Sequence, residues 1–438
     1  MTGGLWYFSK EYGISFIEGV PYMSFKKRII CLSLAVCALC HAGSACADET
    51  PEEAVDTSIV TEFNSADLTE PITYDATETV AGVGSMLDIP AKSCILMEVN
   101  TGEILYESES HMQLPPASIT KVMALLLVVE AIESGQLSTD MMLSASEHAC
   151  SMGGSQIWLE PNEQMSVDDL LKAAVVGSAN DATVALGEAI AGSEEGFVAM
   201  MNERAAQLKM TDTTFVNCTG LDADGHVTSA HDIAIMSKEL IKHDIIKNYS
   251  TIWMDSLRNG KSELVNTNKL VRFYEGCTGL KTGTTSQAGA CLSATAERDG
   301  LALVAVIMGA ANTNDRFNGA RKLLDYGFAN YTYITVSAPP DQLRDITVTG
   351  GVADKVSAIC NERKSFLVEK SKAKTLTTET ELSETLKAPI DAGRQIGVTR
   401  VFIDGTEIGT VKIVAASSIK KMTFGQSFKI LLKCLFYV

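Results

Sequence analysis

The chain has 438 residues with 36 Lys and Arg against 54 Asp and Glu, so its formal net charge is −18. This length allows two or three domains of about 100–200 residues, each with a sizeable core, and excludes a small disulfide scaffold. The acidic balance excludes a typical nucleic-acid-binding protein, because phosphate recognition needs a basic surface. We therefore expect a soluble multidomain body with no nucleic-acid partner.

Residues 1–47 are predicted to be a cleavable export signal. Lys26, Lys27 and Arg28 precede an apolar run over residues 29–39. That run is too short to span a bilayer, which needs about 20 apolar residues. Small residues follow it, as in a cleavage site. Because Met23 stands three residues before the basic cluster, we expect translation to start there.

Residues 48–86 are predicted to be an acidic, disordered spacer. Residues 48–91 contain eleven acidic residues and no Lys or Arg. Such a composition buries too little apolar surface to offset the entropy of ordering the chain. Order is expected to begin near Leu87.

The cysteines between the spacer and the tail are scattered along the chain. They form no C-x-x-C pair and have no histidine at ligand spacing, so buried apolar thiols are the simplest interpretation. We predict no metal site and no cofactor. These cysteines are Cys94, Cys150, Cys218, Cys277, Cys291 and Cys360.

Residues 87–335 are predicted to form an α+β catalytic domain. Two strand patterns come first, long helical patterns follow to about residue 248, and three strand patterns then precede a closing helix over residues 316–328. This order favours an antiparallel sheet flanked by helices over a βαβ repeat. The predicted strands are residues 92–99, 103–107, 279–285, 290–296 and 301–309.

Residues 336–417 are predicted to form a small all-β domain without a catalytic cluster. Short alternating apolar runs dominate this part of the chain, and Asp404-Gly405 is a favoured hairpin turn. The predicted strands are residues 345–348, 352–358, 365–368, 401–403 and 408–414.

Residues 418–438 are predicted to form a basic amphipathic helix. The segment has four lysines and no acidic residue. It is too interrupted to span a bilayer, so we expect it to lie in the interface of an anionic membrane. Packing against the β domain is the alternative. The apolar residues follow the helical spacing i, i+4, i+7, i+8, i+11 and are Phe424, Phe428, Leu431, Leu432 and Leu435.

Ser118 and Lys121 form an S-x-x-K pattern at the predicted start of a helix. Eight consecutive apolar residues follow at 122–129, so this helix should be buried almost all round. Residues three apart lie on one helix face, about 5–6 Å apart between Cβ atoms. An unprotonated Lys121 can accept the proton of Ser118, and the positive helix end favours negative charge on a substrate carbonyl oxygen. The pattern alone is weak, because it recurs four more times in the chain.

Ser178-Ala179-Asn180 is the only S-x-N pattern and is predicted to lie in a loop between two helices. Ser166 and Asp169 resemble a capping box that starts the first helix. Ser178 can pass a proton, and Asn180 can hold a peptide amide. Ordinary turn chemistry is the alternative.

Lys281-Thr282-Gly283-Thr284 is the only K-[ST]-G pattern and is predicted to lie on a strand. A strand glycine permits close approach of a ligand, and the Thr284 N–H can join that of Ser118 in an oxyanion hole. Lys281 and Thr282 would bind a substrate carboxylate. A second ammonium group also lowers the pKa of Lys121. An edge-strand lysine without function is the alternative.

The three patterns occur in a fixed order, with Ser178 60 residues after Ser118 and Lys281 103 residues after Ser178. This ordered set is typical of serine β-lactamases and penicillin-binding proteins. From Lys92 onward the chain resembles the serine-type D-alanyl-D-alanine carboxypeptidases, which are low-molecular-mass penicillin-binding proteins. The resemblance also covers Gly220-Leu221, residues 228–232, residues 279–283 and residues 323–328.

The resemblance implies a transpeptidase/β-lactamase-like catalytic domain, a β domain and a membrane-binding helix. It implies that Ser118 forms an acyl-enzyme and releases the terminal D-alanine of a peptidoglycan stem, while Lys121 accepts the serine proton. Water then hydrolyses the ester, and β-lactams acylate the same serine. The expected location is the cell envelope, at the outer face of the cytoplasmic membrane.

Two positions depart from the family pattern. Ala302 stands where the family often has an arginine on the strand at residues 301–309. Carboxylate binding is therefore expected to rest on Thr282 and Lys281, or on an arginine elsewhere. Thr284 stands where some relatives have histidine, which should change substrate preference more than reaction type.

Three other functions stay open from the sequence. A β-lactamase needs fast deacylation, usually by the glutamate of an E-x-x-L-N pattern, and the nearest candidate, Glu263 to Asn266, has the wrong spacing. A non-catalytic wall- or penicillin-binding protein would keep the fold without turnover. An endopeptidase would cleave cross-links after the same D-alanine carbonyl.

Overall fold

The computed structural model describes residues 80–436. The predicted export signal and most of the predicted spacer lie outside these residues. The described part begins before Leu87, where order was expected to start. Asn330 Nδ2 donates to the Ala81 carbonyl at 2.8 Å, and Leu87 and Ile89 pack against the core. The end of the predicted spacer is therefore attached to the folded body.

A five-stranded antiparallel sheet forms the centre of the catalytic domain, which confirms the predicted α+β class. The β8–β9 connection is Asp299-Gly300, and both residues have the positive φ that a type I′ turn requires, 51° and 78°. In spatial order the strands are β2 (Ile104–Ser108), β1 (Ser93–Glu98), β9 (Leu301–Ala310), β8 (Gly289–Arg298) and β7 (Cys277–Thr285).

Helices cover both faces of this sheet, because its strands alternate apolar residues toward each side. Ile95 and Val306 belong to the larger core under most of the helices, while Leu96 and Ile307 belong to the core under the last one. The helices are α1 (Lys121–Glu133), α2 (Glu147–Cys150), α3 (Val167–Val176), α4 (Asn180–Ala191), α5 (Glu194–Gln207), α6 (Ala230–Ile241), α7 (Asp244–Ser250), α8 (Leu270–Phe273) and α9 (Thr313–Asn330). Two small hairpins pair β3 (Met142–Ser144) with β4 (Gln164–Ser166) and β5 (Met254–Leu257) with β6 (Ser262–Val265).

Helix α1 is buried on all sides along residues 122–129, as its apolar run predicts. It begins at Lys121 rather than before Ser118, because a separate 3₁₀ turn occupies Ala117–Thr120. Helix α3 begins as expected, with the Ser166 hydroxyl accepting a hydrogen bond from the Asp169 N–H at 3.1 Å.

The second domain follows α9 without a linker and consists of β strands. Strands β14 and β15 are not among the sequence expectations, because β14 is a polar edge strand and β15 has only 3 residues. A two-stranded sheet pairs β10 (Tyr331–Val336) with β13 (Lys364–Glu369). The six-stranded sheet contains, in spatial order, β14 (Thr377–Leu382), β16 (Gln395–Ile403), β17 (Thr406–Ala415), β12 (Lys355–Ile359), β11 (Asp345–Thr349) and β15 (Thr385–Lys387).

The tail forms helix α10 (Phe424–Phe436), which begins later than the predicted helix. Ile419 and Lys421 instead form β-bridges to the second domain. The apolar side chains of α10 are exposed, with Phe424 at 86% and Leu435 at 64%. The described side chains of α10, at residues 424–435, are therefore not packed against the β domain. No helix within residues 80–436 is long and apolar enough to cross a membrane.

The six cysteines of the folded body are free thiols. Three are buried as predicted, and the other three are partly exposed. The buried ones are Cys94, Cys218 and Cys291, and the partly exposed ones are Cys150, Cys277 and Cys360.

Candidate active site

Three separate segments bring the predicted site residues together beside the edge strand β7. The 3₁₀ turn before α1 carries Ser118, the α3–α4 connection carries Ser178, and β7 carries Lys281 to Thr284. Lys121 and Lys281 are buried, whereas Ser118 is half-buried. The nucleophile candidate is therefore reachable from solvent, while both lysine amines are buried.

Lys121 Nζ contacts three oxygen atoms. It lies 3.0 Å from Ser118 Oγ, 2.5 Å from Asn180 Oδ1 and 2.7 Å from the Thr219 carbonyl oxygen. The amide oxygen and the carbonyl oxygen can only accept hydrogen bonds. A neutral amine has two hydrogens and one lone pair, so both hydrogens go to these acceptors. The lone pair then points at the Ser118 hydroxyl.

Burial makes the neutral form of Lys121 accessible near physiological pH. Removal from water disfavours the ammonium form and lowers the pKa of Lys121 to about 7, although nearby Cys218 and Asp181 oppose this shift. A pKa near the working pH is what a general base requires. The geometry and the protonation state both suit proton transfer from Ser118.

Asn180 is the first residue of α4 and not part of the loop, contrary to the sequence expectation. Its Nδ2 donates to the Gly153 carbonyl at 2.6 Å, and its backbone N–H donates to the Ser155 carbonyl at 2.7 Å. These partners fix the amide so that Oδ1 faces Lys121. Both ends of the amide are bonded within the protein here, so contact with a substrate amide stays a prediction.

Ser178 and Lys281 form the second polar pair of the site. Lys281 Nζ donates to Ser178 Oγ at 2.8 Å and to the Thr282 carbonyl at 3.0 Å. Burial, followed by the charges of Lys121 and Arg316, lowers the pKa of Lys281 well below its ordinary value. Ser178 has a φ of 60°, a conformation that costs about 1–2 kcal/mol for an L-residue and is held here by its surroundings.

Gly283 allows strand β7 to approach the Ser118 turn closely. A Cβ atom on Gly283 would lie 2.9 Å from the Ser118 nitrogen and 3.0 Å from Ala117 Cβ. The backbone nitrogen of Ser118 therefore lies directly beside the strand, where the predicted oxyanion hole requires it. Thr284 is exposed next to this gap.

Arg316 is the cation that the sequence interpretation did not locate. Its Nη1 donates to the Thr284 hydroxyl at 2.9 Å and to the Gly283 carbonyl at 3.2 Å. Burial lowers the pKa of Arg316 to about 10, so the guanidinium remains charged at neutral pH. The sequence leaves open an arginine elsewhere in the chain than position 302, and Arg316 in the first turn of α9 is such an arginine.

Strand direction contains the signal that could have located Arg316. Strands β7 and β9 run the same way on either side of antiparallel β8. The C-terminal ends of β7 and β9 therefore lie at the same end of the sheet, and α9 begins there. A charged residue in the first turn of α9 must then stand near Thr284.

Asp181 is a second buried group that the sequence interpretation missed. Its carboxylate accepts hydrogen bonds from the backbone N–H groups of Ile157, at 3.1 Å, and Leu159, at 3.1 Å. Arg258 holds the same loop by donating to the Ile157 carbonyl at 2.8 Å. This loop includes the Gly153 carbonyl that orients Asn180, so Asp181 supports the site from behind.

The β-lactamase candidate pattern has another role in the structure. Glu263 is exposed on β6, and Asn266 donates to the Ile252 carbonyl at 2.7 Å. Asn266 thus fixes the backbone beside the β5–β6 hairpin. The Asn266 side chain therefore has a structural role next to the β5–β6 hairpin.

The fold and the site together define a serine acyl-transfer protein of the penicillin-binding and β-lactamase class. Residues 78–312 match the family described as D-alanyl-D-alanine carboxypeptidase, peptidase family S11. Residues 331–421 match the C-terminal domain of penicillin-binding protein 5. The chain belongs to the D-alanyl-D-alanine carboxypeptidase family and is a peptidase.

Characterised relatives span most of this chain. D-alanyl-D-alanine carboxypeptidase DacF of Bacillus subtilis (strain 168) is 38% identical over 338 residues, covering 76% of this chain and 87% of the relative. Penicillin binding protein 5 from Haemophilus influenzae has a TM-score of 0.64 at 29% identity, covering 77% of this chain and 99% of that structure. Penicillin-Binding Protein D2 from Listeria monocytogenes, in its ampicillin-bound form, has a TM-score of 0.51 at 33% identity. This match covers 56% of this chain and 100% of that structure.

Proposed function

We propose that this carboxypeptidase removes the terminal D-alanine from peptidoglycan pentapeptide stems through an acyl-enzyme on Ser118. The observation that carries the proposal is the Lys121 amine, which lies 3.0 Å from Ser118 Oγ with two fixed acceptors on its other sides. That arrangement aims a lone pair at the serine proton and serves no evident structural purpose.

Acylation begins when Ser118 Oγ attacks the carbonyl carbon of the penultimate D-alanine and its proton moves to Lys121 Nζ. The N–H groups of Ser118 and Thr284 stabilise the negative oxygen. The carbon–nitrogen bond then breaks, and the proton that Lys121 accepted passes to the leaving amine, which returns Lys121 to its neutral form. We assign the relay of this proton to Ser178, whose hydroxyl is held by Lys281 Nζ at 2.8 Å.

The free carboxylate of the terminal D-alanine distinguishes this substrate from an internal peptide bond. Arg316, Thr282 and Lys281 present a guanidinium, a hydroxyl and an amine group along β7. Charged donors bind a carboxylate more strongly than neutral donors do. We assign carboxylate recognition to these three residues.

Deacylation uses the same residues in the reverse direction, with water in place of the amine. Lys121 takes a proton from water as the water oxygen attacks the ester carbonyl carbon. Ser118 Oγ then leaves and takes this proton back from Lys121. A β-lactam amide would acylate Ser118 in the same way, and the ampicillin-bound form of the Listeria relative supports penicillin binding.

Two measurements on wild type and Ser118→Ala test the proposal. A fluorescent β-lactam followed by peptide mapping should label wild type at Ser118, and D-alanine release from a pentapeptide should occur with wild type only. A label elsewhere would refute the site assignment. Labelling without D-alanine release would favour a non-catalytic binding protein, and rapid continuous hydrolysis of the β-lactam would favour a β-lactamase.

Removing the Arg316 guanidinium should weaken recognition of the terminal carboxylate. A hydrogen bond to a charged group contributes about 1.5–3 kcal/mol, so Arg316→Ala should lower kcat/KM for a pentapeptide by about 10- to 150-fold. The measurement is D-alanine release at varied substrate concentration. The matched control is the same peptide with a terminal carboxamide, for which the two enzymes should differ much less; equal losses on both peptides would contradict the assignment.

We propose further that the enzyme is exported and attaches to the outer face of the cytoplasmic membrane through α10. The signal pattern in residues 1–47 supports export. The exposed apolar side chains of α10, together with its lysines and those just before it, support binding to an anionic interface.

Vesicle co-sedimentation tests this attachment. The chain without residues 1–47 should bind vesicles of phosphatidylglycerol more tightly than vesicles of phosphatidylcholine, and ending the chain at residue 422 should abolish binding while preserving Ser118 labelling. Equal binding by the full and shortened chains would place the membrane contact elsewhere.

A further inference from the structure

His226 is buried directly behind the Ser118 turn. Its side chain belongs to none of the three motifs, and the proposed mechanism does not use it. Its ring has hydrogen-bond partners on both nitrogens. Nδ1 lies 2.8 Å from the Val216 nitrogen, and Nε2 lies 2.8 Å from Thr120 Oγ1.

The partners define the tautomer of this histidine. A backbone N–H is only a donor, so Nδ1 of His226 must accept from Val216. Nε2 therefore carries the proton and donates to the Thr120 hydroxyl, which in turn donates to the Ala117 carbonyl at 2.9 Å. Burial lowers the pKa of His226 to about 4, so the ring stays neutral at physiological pH and the donor direction is fixed.

The end of this chain of hydrogen bonds is a strained peptide. Ala117 has a φ of 49°, which costs about 1–2 kcal/mol for an L-residue. Its carbonyl oxygen is in tight contact with the backbone at Gly220, where a Cβ atom would lie only 1.8 Å away. The Ala117 carbonyl is thus held by a hydroxyl and by a glycine.

Holding this carbonyl also sets the direction of the next N–H. The peptide unit is planar, with its C=O and N–H pointing in opposite directions. When the Ala117 carbonyl points inward to Thr120, the Ser118 N–H must point outward, toward Gly283 and the space for the substrate oxyanion. The direction of an oxyanion-hole donor strongly affects rate, because losing one donor costs about 10²–10³-fold.

We propose that His226 is a positioning residue for the oxyanion hole. It acts through Thr120, whose hydroxyl it orients so that the Ala117–Ser118 peptide presents its N–H to the substrate. This inference rests on the proposed function of Ser118.

Two variants, each of which reproduces the position of one ring nitrogen of His226, separate this role from a merely structural one. Asn Oδ1 is as many bonds from Cβ as His Nδ1, so His226→Asn keeps the acceptor for Val216 and loses the donor to Thr120. Gln Nε2 matches His Nε2, so His226→Gln keeps the donor and loses the acceptor. Acylation by a β-lactam and D-alanine release are measured together with thermal stability.

His226→Asn should lower kcat and the acylation rate constant by about 10- to 100-fold with KM within about 3-fold of wild type. His226→Gln should keep both rates within about 3-fold of wild type, even if it unfolds at lower temperature. In a Thr120→Val background, His226→Asn should cause no further loss, since coupled residues are not additive.

Three results would overturn the inference. They are equal rates for His226→Asn and wild type, equal losses for the Asn and Gln variants, or additive losses with Thr120→Val. A wild type that is not labelled at Ser118 would instead refute the proposed function, so the two failures are distinguishable.

Discussion

Acylation of Ser118 is expected to accelerate as pH rises through about 7 and to level off above it. Burial lowers the pKa of Lys121 to about 7 from the ordinary lysine value. The neutral amine is the active form, so below this pKa each pH unit removes about nine-tenths of the active enzyme. Acylation by a β-lactam that does not titrate between pH 5 and 9, measured over that range, shows the midpoint.

Replacing Lys121 should remove this pH dependence together with most of the rate. A general base contributes about 10²–10⁴-fold, so Lys121→Ala should lower the acylation rate constant by that factor and leave a profile that is flat near pH 7. Lys121→Arg is the matched control, because it keeps a positive charge without a usable base. A Lys121→Arg enzyme with near-normal rates would mean that charge, and not proton transfer, is what Lys121 supplies.

Gly220→Ala is expected to damage both the fold and the site. The new Cβ would lie 1.8 Å from the Ala117 carbonyl oxygen, at a residue with a φ of 90°. Left-handed backbone costs about 1–2 kcal/mol and overpacking about 1–3 kcal/mol. The free energy of unfolding should therefore fall by about 2–5 kcal/mol. Displacement of the Ala117–Ser118 peptide should also slow acylation by at least about 100-fold.

Gly225→Ala provides the comparison for this substitution. Gly225 has a φ of 78° but no atom within 4 Å of its would-be Cβ, so it incurs only the backbone cost of about 1–2 kcal/mol. Urea unfolding and β-lactam acylation are measured on both variants. Similar acylation rates for the two variants would show that contact with the Ala117 carbonyl is unimportant for the nucleophile.

Local sequence patterns predicted the main helices and strands of the catalytic domain well, because each pattern reflects which faces of that helix or strand are buried. Eight consecutive apolar residues identified α1, which is buried all round. Short apolar runs joined by Asp299-Gly300 identified β8 and β9, whose two faces contact different cores. Strand β14 lacks this signal, since its Thr and Glu residues lie at the exposed edge of a sheet.

The motifs located five of the principal polar groups, and the tertiary fold supplied the rest. Ser118, Lys121, Ser178, Asn180 and Lys281 follow from spacing and order. Arg316 does not, because it reaches the site only through the direction of β9 and the start of α9. The same holds for Asp181 and His226, which contact backbone and hydroxyl groups distant in sequence.

Helix α9 runs from the candidate active site to the start of the second domain. Arg316 lies in its first turn, and its last residue, Asn330, is followed directly by Tyr331 of β10. The helix has 18 residues and is about 27 Å long at about 1.5 Å per residue. A shortened enzyme for crystallisation or inhibitor screening should therefore keep α9 complete to Asn330. A chain that ends inside α9 would lose part of the helix whose first turn places Arg316 beside Thr284.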